Sequence, residues 1–257
     1  MVRLVSGVIL AAAAVAAIRF LPVDALRALA VIVAGLAARE YLQIVGVTDR
    51  RRQASGILFT ALLCGAVAWQ HVPSVDGLLL IALGWVAVEV LAFGSAIGET
   101  AAAVIGPVYA GAPLGMLAVV HATRGWPATL MLIATVIVSD SSQYYTGRSI
   151  GRHPLAPAIS PKKTIEGAVG GIVFGTLFAV LAGHRLFPSA TVGRLVLLGV
   201  AVVILGICGD LFESRLKRAA GMKDSSALIP GHGGILDRID ALLFAAPAFY
   251  VFVETLP

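Results

Sequence analysis

The sequence predicts an all-α, polytopic membrane protein of about nine transmembrane helices, and three observations predict it. Mean hydropathy is +0.95, far above the level of soluble domains. Apolar runs of about 20 residues, the length a helix needs to cross a bilayer, recur along the chain. Charged residues make up only 13% of the 257 positions and gather in a few short segments. A soluble α/β chain of this length would instead show short apolar runs between amphipathic helices.

The apolar windows lie near 3–22, 25–47, 55–72, 76–94, 98–121, 127–147, 165–187, 193–213 and 235–255. The first, with its core LVSGVILAAAAVAA, has the look of a signal peptide. Further spans follow it, so it is read as a retained helix. The next three are plain apolar runs, with Glu40 in the second and Glu89 in the middle of the fourth. The fifth and sixth flank ETAAAVIGPVYAGAPLGML, where Pro107 and Pro113 predict a kink or break unless protein neighbours satisfy the freed carbonyls. In the seventh, Gly167, Gly171 and Gly175 form a small-xxx-small face that predicts close packing on a neighbour. The eighth carries Asp210 at its cytoplasmic end, and the ninth begins after a turn made by Pro230, Gly231, Gly233 and Gly234. Cys64 and Cys208 lie far apart inside apolar runs and read as packing residues. With no repeat, low-complexity tract or soluble appendage, one membrane domain over 1–257 is expected. Residues 1–125 supply N-terminal spans and 126–257 carry the polar signatures.

Basic residues orient the chain. With the N-terminus inside, Arg3, Arg50, Arg51, Arg52, Arg148, Arg152, Lys162, Lys163, Arg215, Lys217, Arg218 and Lys223 fall on the cytoplasmic side. Arg19, Arg27, Arg124, Arg185 and Arg194 fall opposite. The net charge of +5 is thus an orientation signal plus attraction to anionic lipid. Nucleic-acid binding would want a soluble basic surface with aromatic platforms, which the sequence lacks.

Two cytoplasmic segments hold the unusual polar residues: 139–167 and 209–240. In the second, Asp210, Ser214, Lys217 and Arg218 recur at helical spacing and share one face. Asp237 and Asp240 stand three apart at the start of the ninth helix. Carboxylates on adjacent helix ends can meet around a divalent cation, and hard oxygen ligands suit Mg2+. A helix start preceded by glycines offers backbone N–H groups to an anion. Lys217, Arg218, Lys223 and His232 add positive charge, so the set describes a site for a metal-bound polyphosphate. In the first segment, Ser160 is expected to N-cap a helix with Pro161 at its first position. Lys162 and Lys163 would then sit in the first turn, where the macrodipole disfavours cations, and an anion beside them would explain that. Taken singly, Asp237 and Asp240 also read as favourable charges at a helix start, and the basic residues as membrane anchors. Those readings leave Asp210, at the membrane end of another span, without a reason.

At these residues the chain resembles the phosphatidate cytidylyltransferase family, the CDP-diacylglycerol synthases. The resemblance rests on S214-R-L-K-R, on K223-D and on P230-G-H-G-G-I-L-D-R-I-D240. ISPKKTIEG and D140-SSQYYTGR-SIG-R152 resemble a further family segment, with AAREYL near Glu40 a weak echo. One departure is Gln143, where the commonest members carry Gly-Ala before the tyrosine. The resemblance implies that CTP and phosphatidic acid give CDP-diacylglycerol and pyrophosphate at the cytoplasmic face of a bacterial inner membrane. Asp210 and Asp237 would ligate Mg2+, supported by Asp240 or Asp224. Lys217, Arg218, Lys223 and His232 would bind the triphosphate, with Gly233, Gly234 and Arg238 as further substrate contacts. Lys162, Lys163 and Arg148 would hold the lipid phosphate, Asp140 would orient its loop, and Ser160, Ser214 and Thr164 would contact phosphate or metal. A second, monovalent cation and a homodimer are left open.

Two other readings stay beside it. One is a CTP-dependent enzyme acting on another lipid phosphate or on a polyprenol. The other is an ion-coupled transporter using Glu40, Glu89 and Glu99, which would predict polar residues spread through the bilayer midplane. The charges cluster at one face instead, which favours chemistry on a lipid headgroup.

Overall fold

The protein is described from a computed structural model. The structure describes residues 2–70, 75–93, 97–229, 231 and 233–256, a few of them by backbone alone. The described residues are mostly helical, with one short antiparallel hairpin among them. The helices are α1 (Val2–Phe20), α2 (Val23–Ile44), α3 (Arg50–Ala68), α4 (Val75–Phe93), α5 (Ile97–Gly106), α6 (Ala112–Ile150), α7 (Ile165–Leu186), α8 (Val192–Ala219) and α9 (Leu236–Glu254). The hairpin pairs β1 (Pro154–Ala156) with β2 (Ser160–Thr164). Among the described residues, three stretches are long and apolar enough to cross a membrane: Thr100–Ile150, Ile165–Leu186 and Val192–Ala219. Gly7–Phe20 and Ile81–Phe93 are shorter apolar helices.

The chain gathers into two compact units. The first comprises Met1–Ala122 and Ala219–Arg238, the second Thr123–Arg218 and Ile239–Pro257.

In the first unit, α2, α3 and the segment after α5 pack through small residues. The expected break at Pro107 takes the form of a π-helical turn, Pro107–Gly111, joining α5 to α6. Proline has no N–H to give to the ladder, and a widened turn absorbs the loss. Gly106 packs on the Tyr41 ring, where an added Cβ would lie 2.8 Å from Cδ1, and Gly111 packs on the Thr60 carbonyl. The Tyr41 hydroxyl donates to the Ala102 carbonyl at 2.9 Å. Phe59 of α3 stacks on Trp85 of α4 at 4.5 Å. Arg50, Arg51 and Arg52, expected in a loop, are the first turn of α3, capped by the Asp49 carboxylate accepting from Arg51 N. Arg52 is buried there and pairs with Glu89 of α4 at 2.8 Å.

In the second unit, α6 bends at Gly125 (φ 76°), two residues before Pro127. The expected small-residue face of α7 packs on α6 and α8. A Cβ at Gly171 would collide with Gln143 and Ser139, and one at Gly175 would lie 2.6 Å from Val203 Cγ2.

The helix expected to start at Ser160 and Pro161 does not form. Residues 160–164 are strand β2, and α7 begins at Ile165 with Thr164 as its N-cap, the Thr164 hydroxyl accepting from Gly167 N at 3.1 Å. Proline pushes the preceding residue into extended backbone, and β1 supplies a partner for the extended run. Lys162 and Lys163 are therefore strand residues, and the macrodipole reason for an anion beside them falls away.

Candidate active site

The second unit brings much of the expected site together. Asp140, Gln143, Tyr144, Gly147 and Arg148 recur every three or four residues, so they line one face at the end of α6. Lys162, Lys163 and Thr164 come from β2, Gly167 and Ala168 from the start of α7, and Asp210 from α8. Together they line a cavity of about 370 Å³. Glycines let these elements meet: a Cβ at Gly147 would lie 2.8 Å from the Thr164 hydroxyl, and one at Gly167 2.7 Å from the Gln143 carbonyl.

Lys163 Nζ donates to Asp210 Oδ2, and Ser214 Oγ donates to Asp210 Oδ1 at 3.3 Å. Gln143 Nε2 donates to Asp140 at 3.0 Å, and Arg148 donates to the Tyr144 hydroxyl at 3.0 Å. Asp140 and Asp240 both lie within electrostatic reach of Asp210, with Lys163 opposing the charge at Asp140 and Lys217 that at Asp240. Asp240 accepts from Ala241 N at 2.8 Å. Its carbonyl sits against Gly209, where a Cβ would come within 2.5 Å, so α8 and α9 approach closely beside Asp210. Lys217 is buried and donates to the buried Glu213 at 2.6 Å. Arg218 is exposed, and Ser160 pairs in register with Ala156.

The rest of the signature belongs to the first unit, where it folds around two carboxylates. Asp237 Oδ2 accepts from Ser225 N (2.9 Å), Ser225 Oγ (2.9 Å) and Gly234 N (2.8 Å). Glu40 accepts from both serines of the loop and from the first amides of α9. Ile229 and Gly233 form an isolated bridge, with Gly233 at φ +80°. A Cβ at Gly234 would collide with Ser225 Oγ and the Glu40 carboxylate. The glycines expected to cradle an anion thus also have a packing reason. Lys223, Asp224 and Arg238 are exposed. His232 and Pro230, and the side chain of Glu99, lie outside the described residues.

Sequence reasoning missed Glu213, Ser225 and the role of Glu40. Glu213 carried a signal, since an acid four residues before Lys217 on a helix is a natural partner. Glu40 lies 185 residues from Ser225, and no local pattern joins them. Asp210, Asp140 and Asp240 in the second unit, and Asp237 in the first, all carry carboxylate oxygens of the kind a hard cation takes. Among the described residues no three His, Cys, Asp or Glu side chains make a closed cage.

Apolar helices of spanning length fit a membrane protein, and carboxylates and lysines share one cavity in it. The chain belongs to the cytidylyltransferase family, whose model matches residues 1–256. It is 34% identical over 232 residues to the phosphatidate cytidylyltransferase of Pseudomonas aeruginosa, covering 84% of this chain and 83% of that one. It is 36% identical over 227 residues to the uncharacterized protein YnbB of Escherichia coli (strain K12), covering 85% and 76%. The phosphatidate cytidylyltransferase of Aquifex aeolicus is 44% identical over 124 residues, 48% of this chain and 46% of that one. The protein is a nucleotidyltransferase.

Proposed function

We propose that the protein is a CTP:phosphatidate cytidylyltransferase, forming CDP-diacylglycerol and pyrophosphate. The observation that carries the reading is the cavity in which Arg148, Lys162 and Lys163 stand beside Asp210. A phosphate monoester is largely ionised at pH 7, so the lipid phosphate is its own nucleophile and no Ser, Cys or His is required. Its oxygen forms the new bond to the α-phosphorus of CTP, the bond to the β-phosphate oxygen breaks, and pyrophosphate leaves with that electron pair. Such in-line transfer depends on positioning and charge neutralisation. Arg148, Lys162 and Lys163 hold the lipid phosphate, and Tyr144 fixes Arg148. Lys217, paired with Glu213, and Arg218 offset phosphate charge at the end of α8.

Asp210, with Asp240 behind it, is the carboxylate we assign to Mg2+, which takes one or two carboxylates and keeps several waters. Bound there, Mg2+ supplies neutralisation of charge on the triphosphate and the departing pyrophosphate. The helices would make about nine crossings of a bacterial inner membrane, with the N-terminus and the cavity facing the cytoplasm. The basic residues at the helix ends and in the hairpin support that orientation.

The test is purified protein in mixed micelles with phosphatidic acid and Mg2+, comparing CTP with ATP and assaying both products, with Asp210→Asn in parallel. CTP-dependent CDP-diacylglycerol that falls by about 10²–10³ in the variant is expected. Silence with every nucleotide in folded protein would sink the enzyme reading. Gln143 lines the cavity and departs from the commonest pattern, which favours one second reading, a CTP-dependent enzyme for another lipid phosphate. CTP turnover confined to such a lipid would decide for it.

A further inference from the structure

Glu40 sits near the end of α2 and is 3% exposed. An ionisable side chain buried in an apolar helix is costly and has a partner or a function. Its partners are all in the loop that carries Lys223, Asp224 and Asp237. Oε1 accepts from Ser226 Oγ at 2.7 Å and Ile235 N at 3.1 Å. Oε2 accepts from Leu236 N at 2.8 Å and Ser225 Oγ at 2.9 Å.

Leu236 N is the first amide of α9 and Ile235 N the one before it; the first N–H groups of a helix have no partner within it. A capping carboxylate ordinarily comes from the adjoining chain; here it comes from another helix, 195 residues away from Ile235. Ser225 Oγ stands 2.9 Å from both Glu40 and Asp237 and has one proton to share between them. Moving Glu40 therefore moves the serine that holds Asp237. Gly234 leaves the space that the Glu40 carboxylate and Ser225 Oγ fill.

We propose that Glu40 is a positioning residue for the reaction: it sets the 225–237 loop, and through Ser225 the Asp237 carboxylate, without touching substrate. The catalytic half of this inference rests on the functional reading above. Glu40→Gln keeps the size and one acceptor oxygen but turns an amide toward backbone donors. Glu40→Asp keeps the charge and shortens the reach by one methylene.

The experiment measures kcat and KM for CTP and phosphatidic acid, with amide hydrogen exchange on the same preparations of the full chain. For Glu40→Gln, kcat is expected to fall about a hundredfold, the order that a misplaced group costs. KM for phosphatidic acid stays within about twofold, because no lipid contact is assigned to Glu40 or its partners. Exchange is expected to quicken at Ser225, Gly234, Ile235 and Leu236 while the rest of the chain is unchanged, and Glu40→Asp falls between. Unchanged exchange in that segment overturns the proposal. So does wild-type kcat in protein whose loop exchange has quickened, since Glu40 would then serve stability alone. Should Glu40→Gln not yield folded protein, Ser226→Ala removes one of the four donors and is read by the same two measurements and standards. Wild-type protein inactive with CTP and phosphatidic acid would sink the functional reading, while the exchange comparison would still decide whether Glu40 sets the loop.

Discussion

Lys163 of β2 and Asp210 of α8, 47 residues apart in the chain, form an ion pair on the wall of the cavity. It joins the hairpin to the helix end that carries Ser214 and Lys217. Both side chains are partly exposed, so the pair contributes little to folding and its weight falls on function. Asp210→Asn is expected to lower kcat by about 10²–10³, the loss typical of removing one charge-stabilising group. Lys163→Met is expected to lower kcat/KM for phosphatidic acid by a similar factor, with Lys163→Arg recovering part of it. The assay is CDP-diacylglycerol formation in mixed micelles, and wild-type rates in Asp210→Asn would remove Asp210 from the site.

Glu213 and Lys217 pair at 2.6 Å, and both side chains are nearly inaccessible. Removing one partner of such a pair leaves a buried charge uncompensated, at about 3–5 kcal/mol. Glu213→Gln should therefore lower the unfolding temperature in detergent. Glu213→Leu combined with Lys217→Met should bring stability back near wild type and leave activity lost. Activity returning with stability would show that Lys217 has no role beyond the pair.

Arg52 and Glu89 make the same kind of buried pair in the first unit, and neither is assigned to chemistry. Glu89→Ala is expected to cost about 3–5 kcal/mol for the same reason, while turnover per folded molecule stays unchanged. Thermal unfolding and active-fraction kinetics on one preparation separate the two effects. A drop in turnover at full stability would point to ion or proton handling instead.

Gly171 has no room for a side chain against Gln143 and Ser139. Gly171→Leu should cost about 1–3 kcal/mol by overpacking, or more if the helices cannot part. Activity should fall with it, because Gln143 lines the cavity. Gly193→Ala is the control: nothing lies within 4 Å of its added Cβ, and the change should stay within about 1 kcal/mol. Equal losses in both would mean that the close approach of α6 and α7 is not what Gly171 serves.

Metal removal gives a further check. Chelation by EDTA is expected to abolish CDP-diacylglycerol formation, and excess Mg2+ to restore it, because a hard cation is needed beside the triphosphate. Full activity in EDTA would leave Asp210 to act by its charge alone.

Much of this was legible because local rules govern it. Apolar runs announce helices, and α7 starts and ends within a residue of its window. The glycine face of α7 announced its packing, and the spacing of Asp210, Ser214 and Lys217 announced a shared helix face. The reading failed where two local rules competed. Ser160-Pro161 satisfies a helix-start pattern, yet the same proline favours extended backbone before it, and pairing with Pro154–Ala156 decided between them. Arg52 read as a membrane-surface anchor because its partner, Glu89, lies 37 residues away.

By itself the sequence determined the helical class, the places of most helices and the family resemblance, since hydropathy, spacing and motif are properties of short stretches. Only the tertiary structure decided which of those residues meet. Lys163 reaches Asp210 because a two-stranded hairpin turns it there, and the first turn of α9 is capped by Glu40 because α2 passes beside it. Such pairings depend on contacts between segments far apart in the chain, where a buried polar group takes whichever partner the packing brings within hydrogen-bond reach.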